Sequence, residues 1–303
     1  MMADVITFEE GQQSMSWAAL TEALKAGHAL SKAQVSDTFL YSGENTLLSR
    51  AAWIQELGQV VKTATIFPGN KALKKPNVNG AVNLFSHETG ELEASIDFHL
   101  VTKWKTAGDS LLAAKYLAPD TVKTILLIGS GAVASTMIDA YKSYFPDAKF
   151  VIWSRTASSA EILAKSHGVE TTKNLETAVH NADIICTATM SKKPIIRGEW
   201  LRAGQHLDLI GAYRPDMREV DDTALTRARI FIDSFDTTLD HIGELKTPLE
   251  QGIIRRDDVA ADFYSLTDFT RAPDDITICK NGGGAHLDLM TCRYIYNAWK
   301  LNR

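Results

Sequence analysis

A chain of 303 residues can bury a large core, and 45% hydrophobic with 23% charged residues is the composition of an ordinary soluble globular protein. The formal net charge of −5 argues against nucleic acid as a partner, no apolar run reaches the length of a bilayer span, and the start MMADVITFEEGQQ lacks the features of a secretory signal. Cys186, Cys279 and Cys292 stand far apart without a CxxC spacing, against zinc or a disulfide framework, so a cytoplasmic protein without metal is expected.

In chain order, QVVKTATIF places Lys62 in a strand with little polar surface around it. NGAVNLFSHETGELEASIDF reads as a hairpin turning at HETG, and KWKTAGDSLLAAKYLAP as a helix closed by Pro119. From Thr124 to Lys280 short apolar runs (TILLIGS, KFVIWS, ADIICTAT, HLDLIGAY, RIFIDS, DITICK) alternate with helical stretches (AVASTMIDAYKSYF, SSAEILAKSHG, NLETAVHN, DDTALTRA). The runs lack strict alternation, as strands covered on both faces do, so an α/β fold is predicted: a Rossmann-type doubly wound parallel sheet over 120–283. NGGGAHLDLMTCRYIYNAWK then gives a glycine hinge and an apolar-faced helix. Packed back on the N-terminal region, that helix would complete a second, α+β domain from 1–119 and 284–303.

Gly129, Gly131 and Ala134 form GxGxxA directly after a strand and directly before a helix, within a βαβ unit from Thr124 to Ser154. The first glycine allows the tight turn, the second lets a pyrophosphate approach the backbone, and the third small residue lets the helix pack close. Ser130, Ala132 and Val133 complete the turn and the helix start, whose N–H groups and positive dipole end suit phosphate. The stretch reads as a dinucleotide site. Where an NAD site carries Asp or Glu, the chain has WSRTASS. Arg155 can fork a 2′-phosphate and Ser154 and Thr156 can donate hydroxyls, so NADPH is the expected cofactor, with NADH possible. Thr187, Ala188, Thr189 and Met190 follow ADII at a strand's carboxyl end, and Gly211 and Ala212 end the next strand; both stretches are expected to line the cofactor. Thr187 and Thr189 have an alternative reading as strand hydroxyls bonded to the backbone.

Hydride transfer needs a substrate held against the nicotinamide, and the N-terminal half is expected to grip it. Arg50 in TLLSRAAW, Lys62, and Lys105 in KWKTAGDSLLAA stand in apolar company, where a cation costs free energy unless it meets an anion. A substrate carboxylate would serve, and so would a structural partner such as Asp109 or a snorkelling path to water. Trp53 and Trp104 read as core. His87, His99, His206 and His286 lack metal-ligand spacing and read as structural, with only His286, beside GGGA, expected near the cofactor.

VVKTATIFPGN, LFSHETG, TKWKTAGDSLLAAKYLAP, ILLIGSGAVA, ADIICTATMSKKP and ITICKNGGGAHLDL fall in the order and spacing of the ornithine cyclodeaminase/mu-crystallin family, which the chain resembles from about Leu47 onward. The resemblance implies that the first domain binds substrate and dimerises while the Rossmann domain binds NAD(P). It implies a homodimer and one of three activities. These are cyclising deamination of ornithine, amino-acid dehydrogenation, and reduction of ketimines such as Δ1-pyrroline-2-carboxylate and Δ1-piperideine-2-carboxylate. Lys62 matches the family's substrate-contacting lysine in KxxxxxPxN. Lys105 stands where the family usually has arginine, which keeps the charge and loses the fork. Arg50 in LSRAAW resembles the arginine of an RPAW-like segment in the reductase members.

Ornithine cyclodeaminases carry a catalytic aspartate two residues after a glycine, and the matching position here, in LIGAYRPDMREVDD, is Tyr213. Tyrosine is a poor base near pH 7, and the nearby Asp208 and Asp216 miss the matched position, so deamination is disfavoured. An imine reductase asks less, because the imine arrives protonated and the protein need only hold and align it. The expected activity is therefore NADPH-preferring reduction of a cyclic imino acid, such as Δ1-pyrroline-2-carboxylate to L-proline. Lys62, Lys105 and Arg50 would take the carboxylate, Tyr213 would line the ring or donate a proton, and Asn281 would touch the substrate. An NADPH-holding, mu-crystallin-like protein without turnover is the non-enzymatic rival.

Overall fold

A computed structural model describes residues 3–303. The chain divides into two compact units, one running to Lys105 and resuming over Gly284–Arg303, the other spanning Thr106–Gly283.

The first unit begins with β1 (Asp4–Ile6), α1 (Phe8–Gln13) and α2 (Trp17–His28). Thr7 and Glu10 form a capping box that starts α1, and the Ser16 hydroxyl caps α2. Then come β2 (Gln34–Ser42), β3 (Asn45–Ile54), β4 (Gly58–Ile66), β5 (Val78–Phe85) and β6 (Leu92–Asp97), followed by α3 (Phe98–Leu117). The sheet order is β1-β6-β5-β4-β3-β2, antiparallel except for the β1–β6 pair. The hairpin expected around HETG is β5–β6, with Gly90 at φ +70°.

Strand parity decides the fate of several side chains here. Along β4, Gly58, Val60, Lys62 and Ala64 are buried in strict alternation, so Lys62 belongs to the inward-facing set. Along β3, Ala52 and Ile54 point inward, and Trp53 between them is 54% exposed, which corrects its reading as core. Trp104 is buried and stacks on Trp17 with ring centroids 3.8 Å apart.

The second unit continues with β7 (Thr124–Ile128), α4 (Ala132–Tyr144), β8 (Lys149–Trp153), α5 (Ala157–His167), β9 (Glu170–Thr171), α6 (Leu175–Asn181), β10 (Ile184–Thr187) and β11 (His206–Leu209). It ends with α7 (Asp222–Arg227), β12 (Ala228–Ile232), α8 (Gly243–Glu250), β13 (Val259–Ala261) and β14 (Ile276–Lys280). All eight strands are parallel, in the order β13-β12-β14-β11-β10-β7-β8-β9. The six apolar runs are the six interior strands, and the sequence signalled neither of the short edge strands β9 and β13. Strand order reverses at β7, with β8 on one side and β10 on the other, which opens a crevice at their carboxyl ends.

The terminal helix α9 (Ala285–Leu301) belongs to the first unit. The units divide inside α3, between Lys105 and Thr106, whereas the sequence reading drew the boundary after residue 119. The second half of α3 is tied to the parallel sheet: Ser110 Oγ accepts from Asn281 Nδ2 at 3.0 Å, and the Leu117 carbonyl accepts from Thr277 Oγ1 at 3.1 Å.

Candidate active site

The glycine turn between β7 and α4 is built for close approach. Gly129 sits at φ +126°, and a Cβ there would stand 2.6 Å from the Ala188 carbonyl oxygen, so conformation and space both demand glycine. Gly129 N donates to the Trp153 carbonyl at 2.9 Å and Ala188 N to that of Ile128 at 2.8 Å, joining the ends of three strands. A Cβ at Gly131, by contrast, would meet open space. Gly131 caps α4 without a side-chain bond, which leaves the first-turn N–H groups around Ala132 and Val133 for an outside acceptor. Ala134 is fully buried where α4 meets the sheet.

Ser130 and Ser154 bridge the two strand ends through their hydroxyls at 3.0 Å. Arg155 and Thr156 beside them are exposed, and Thr156 caps α5 without using its side chain. These residues fit a dinucleotide: open space over Gly131, an unfilled helix start, and a guanidinium with two hydroxyls at the end of β8.

The loops after β10 and β11 are fastened to one carboxylate that the sequence reading passed over. Glu219 Oε1 accepts from Thr189 N (2.9 Å) and Thr189 Oγ1 (2.7 Å). Its Oε2 accepts from Thr187 Oγ1 (2.7 Å), Gly211 N (2.8 Å) and Ala212 N (3.1 Å). The Thr187 and Thr189 hydroxyls are thus satisfied by a buried side chain, not by the backbone. Thr187 and Ala212 are buried, Ala188, Thr189 and Gly211 are partly exposed, and Met190 is exposed.

Glu219 N and Val220 N in turn donate to the two oxygens of Glu244 at 2.7 and 3.0 Å. Burial, and then the charge of Glu219, push the Glu244 carboxyl up to about 7. Lys280 is also fully buried, its ammonium donating to the Leu209 and Asn281 carbonyls at 2.7 and 2.8 Å. Burial pulls its pKa down, while Glu219 and Glu244 oppose the loss of its proton.

Asn281 and Tyr213 part company. Asn281 is buried, its amide donating to Ser110 and to Asp208 Oδ1 (3.5 Å) and accepting from Cys279 Sγ (3.4 Å). Asp208 also accepts from the Tyr141 hydroxyl and lies 3.2 Å from His206 Nε2, so it is a member of a buried network. Tyr213 is 56% exposed, and Asp216 pairs with Lys192 and Arg214 at the surface. The glycine hinge is held by Asp233, whose Oδ2 accepts from Gly282 N (2.9 Å) and Gly283 N (2.5 Å).

In the first unit the three expected cations gather around a carboxylate. Lys62 Nζ donates to Asp288 Oδ1 at 2.9 Å and to Thr102 Oγ1 at 3.0 Å, and lies 4.8 Å from the centre of the Phe98 ring. Arg50 is paired across from Lys62 in the β3–β4 register and binds Asp37, its cross-strand partner on β2, at 2.6 Å. Lys105 is buried on α3 and, among the described residues, has no ion-pair partner within 4.0 Å.

Burial would raise the Asp288 carboxyl, but Lys62, Lys105 and Arg50 together outweigh it and hold it below the usual range. Burial lowers the Lys62 ammonium, Asp288 supports it, and Lys105 weakens it again. His286 is buried with its ring edge-on to His28 at 5.6 Å. Asp288 escaped the sequence reading because an acid in the first turn of a helix is ordinary complement to the dipole.

Residues 40–302 match the ornithine cyclodeaminase/mu-crystallin family. The chain is 42% identical over 300 residues to a Δ1-pyrroline-2-carboxylate reductase of Paracoccus denitrificans, covering 96% of this chain and 95% of that one. Among solved structures, the Δ1-pyrroline-2-carboxylate reductase of Thermococcus litoralis in complex with NADH and L-proline superimposes with a TM-score of 0.89 at 22% identity, covering 98% of each chain. An archaeal alanine dehydrogenase dimer with bound NAD superimposes at 0.90 and 25% identity, covering 100% of this chain and 97% of that one.

Proposed function

The chain belongs to the ornithine cyclodeaminase/mu-crystallin family, and from that premise we propose that it reduces a cyclic imino acid with a nicotinamide dinucleotide, Δ1-pyrroline-2-carboxylate to L-proline foremost and the six-membered homologue next. The 42% relative carries that activity in its name. The observation that carries the proposal is the charge balance in the first unit. Three cations, Arg50, Lys62 and Lys105, face two carboxylates, Asp37 and Asp288, and Lys105 is the buried one left over among the described residues. A substrate carboxylate would neutralise it.

The division of labour follows from the contacts. Lys105 takes the carboxylate as a point charge, and Lys62, oriented by Asp288 and Thr102, lends it a second donor. Arg50, tethered to Asp37, adds long-range positive potential. The dinucleotide, when bound, supplies the hydride. The imine enters protonated, so addition at its carbon leaves a neutral secondary amine, and no side chain has to deliver a proton in that step. Tyr213, exposed on its loop, is proposed to line the ring, whereas the buried contacts of Asn281 favour a supporting role.

Arg155, with Ser154 and Thr156, favours NADPH, with NADH as a usable substitute. The first unit is proposed to bind substrate and dimerise, and the parallel sheet to bind the dinucleotide. The homodimer would be built on β2, an edge strand exposed along its whole length that carries Val35, Phe39, Leu40 and Tyr41 on open surface. Three buried, unbridged cysteines suit a reducing cytoplasm.

The test is turnover by the purified protein with NADPH or NADH and five- and six-membered cyclic imino acids, pyruvate with ammonia, or ornithine. Cofactor absorbance is expected to fall mole for mole with a cyclic imino acid. Ammonia released from ornithine without net cofactor loss, or no turnover of any compound, overturns the proposal.

A further inference from the structure

We infer that Glu219 is a positioning residue for the dinucleotide, a single buried carboxylate that fixes the crevice wall opposite the glycine turn. The inference rests on the functional reading above, and its geometry lies wholly within the second unit. Glu219 accepts from Thr187 and Thr189, the residues on either side of Ala188. The Ala188 carbonyl is the group that a Cβ at Gly129 would strike at 2.6 Å. The peptide that closes on the glycine turn is therefore clamped on both sides by the same side chain.

The same carboxylate holds the next loop through Gly211 N and Ala212 N. The two loops touch: a Cβ at Gly211 would stand 2.2 Å from both the nitrogen and the oxygen of Thr189. Glu219 thus welds the ends of β10 and β11 into one surface. Its own backbone is held by Glu244, and buried Lys280 supplies the countercharge from the end of β14. Glu219 has no exposure of its own, so it acts through the loops and not by touching the cofactor.

A carboxylate suits this place because both oxygens face only donors. Glutamine keeps the shape, but its amide N–H₂ must face Thr189 N on one side or Gly211 N and Ala212 N on the other. One loop would then lose its anchor.

The experiment is direct binding of NADPH by fluorescence titration, together with steady-state kinetics, on wild type, Glu219→Gln and Thr187→Val. Glu219→Gln is expected to weaken NADPH binding tenfold or more while the KM for imine at saturating NADPH stays within twofold, a split that general loosening of the fold would not produce. Thr187→Val removes one hydroxyl donor that is itself buried against Glu219, and threefold weaker binding is expected; it decides the matter should Glu219→Gln fail to fold. Wild type that binds NADPH, with variants that bind it equally well, overturns this inference alone. Wild type that binds neither NADPH nor NADH overturns the functional reading and the inference with it.

Discussion

The two units bury charge in opposite ways. Around Lys62 the cations outnumber the carboxylates among the described residues, and the closest buried contact is the Lys62–Asp288 ion pair, with Thr102 beside it. Around Glu219 the carboxylates outnumber the cation, and the contacts are almost all to backbone N–H groups, backbone carbonyls and hydroxyls. Backbone dipoles complete the second cluster from within the protein. The first keeps surplus positive charge, which the proposed substrate carboxylate would neutralise. Buried charge that the fold satisfies reads as scaffold, and buried charge that it leaves over reads as a binding site.

The sharpest way to break this contrast is to remove Asp288, the fully buried carboxylate of the first cluster. Asp288→Asn leaves Lys62 buried without its ion pair and is expected to cost about 3–5 kcal/mol in urea unfolding. A loss under about 1 kcal/mol would show that Lys62 reaches water or another partner.

Acidity separates the units almost as strongly. Burial lowers His28, in the first unit, to about 4 from 6.5, so the unfolded chain binds the extra proton and this share of stability disappears as pH falls from 6.5 to 4. Glu244, in the second, is raised from 4.5 to about 7, so the native state binds the extra proton and this share is lost as pH climbs from 4.5 to 7. Each shift is worth about 3 kcal/mol at full extent. Between pH 4.5 and 6.5 the two slopes oppose each other in wild type. Glu244→Gln is expected to leave the acid-labile slope and His28→Asn the opposite one; parallel curves for all three proteins would refute both assignments.

Smaller effects sharpen the binding side. Lys105→Ala is expected to raise the KM for imine about 10- to 100-fold, as loss of a charge-assisted contact does, with Lys105→Arg restoring it. An unchanged KM for Lys105→Ala removes that residue from carboxylate recognition. Arg155→Asp is expected to lower the ratio of NADPH to NADH kcat/KM about tenfold, and a constant ratio would place the 2′-phosphate elsewhere.

Much of this architecture was legible in the sequence because period and punctuation are local. The six apolar runs became interior strands, and GxGxxA announced its turn because strand end, small residues and helix start follow one another directly in the chain. The three cations were conspicuous as charge inside apolar strings. The acids that organise the two clusters were not. Asp288 lies 226 residues from Lys62 and Glu219 lies 32 from Thr187, and nothing local distinguishes either acid from a surface residue. Trp53 was misjudged because one position along β3 reverses which face a side chain meets, and its neighbours' hydrophobicity does not reveal the parity. The boundary inside α3 was invisible for a related reason: helix periodicity continues unbroken across it, and only the distant partners of Ser110 and Leu117 mark the change.

The cysteines have a practical corollary. Burial first, and neighbouring carboxylates second, raise the pKa of all three thiols: Asp208 acts on Cys186 and Cys279, and Asp288 on Cys292. Only the thiolate attacks an alkylating reagent or a peroxide, so in the native protein each sulfur is both shielded and chemically quiet. Labelling therefore waits for opening of the structure. With two sulfurs in one unit and one in the other, peptide-resolved alkylation clocks the loosening of each unit with no reporter added.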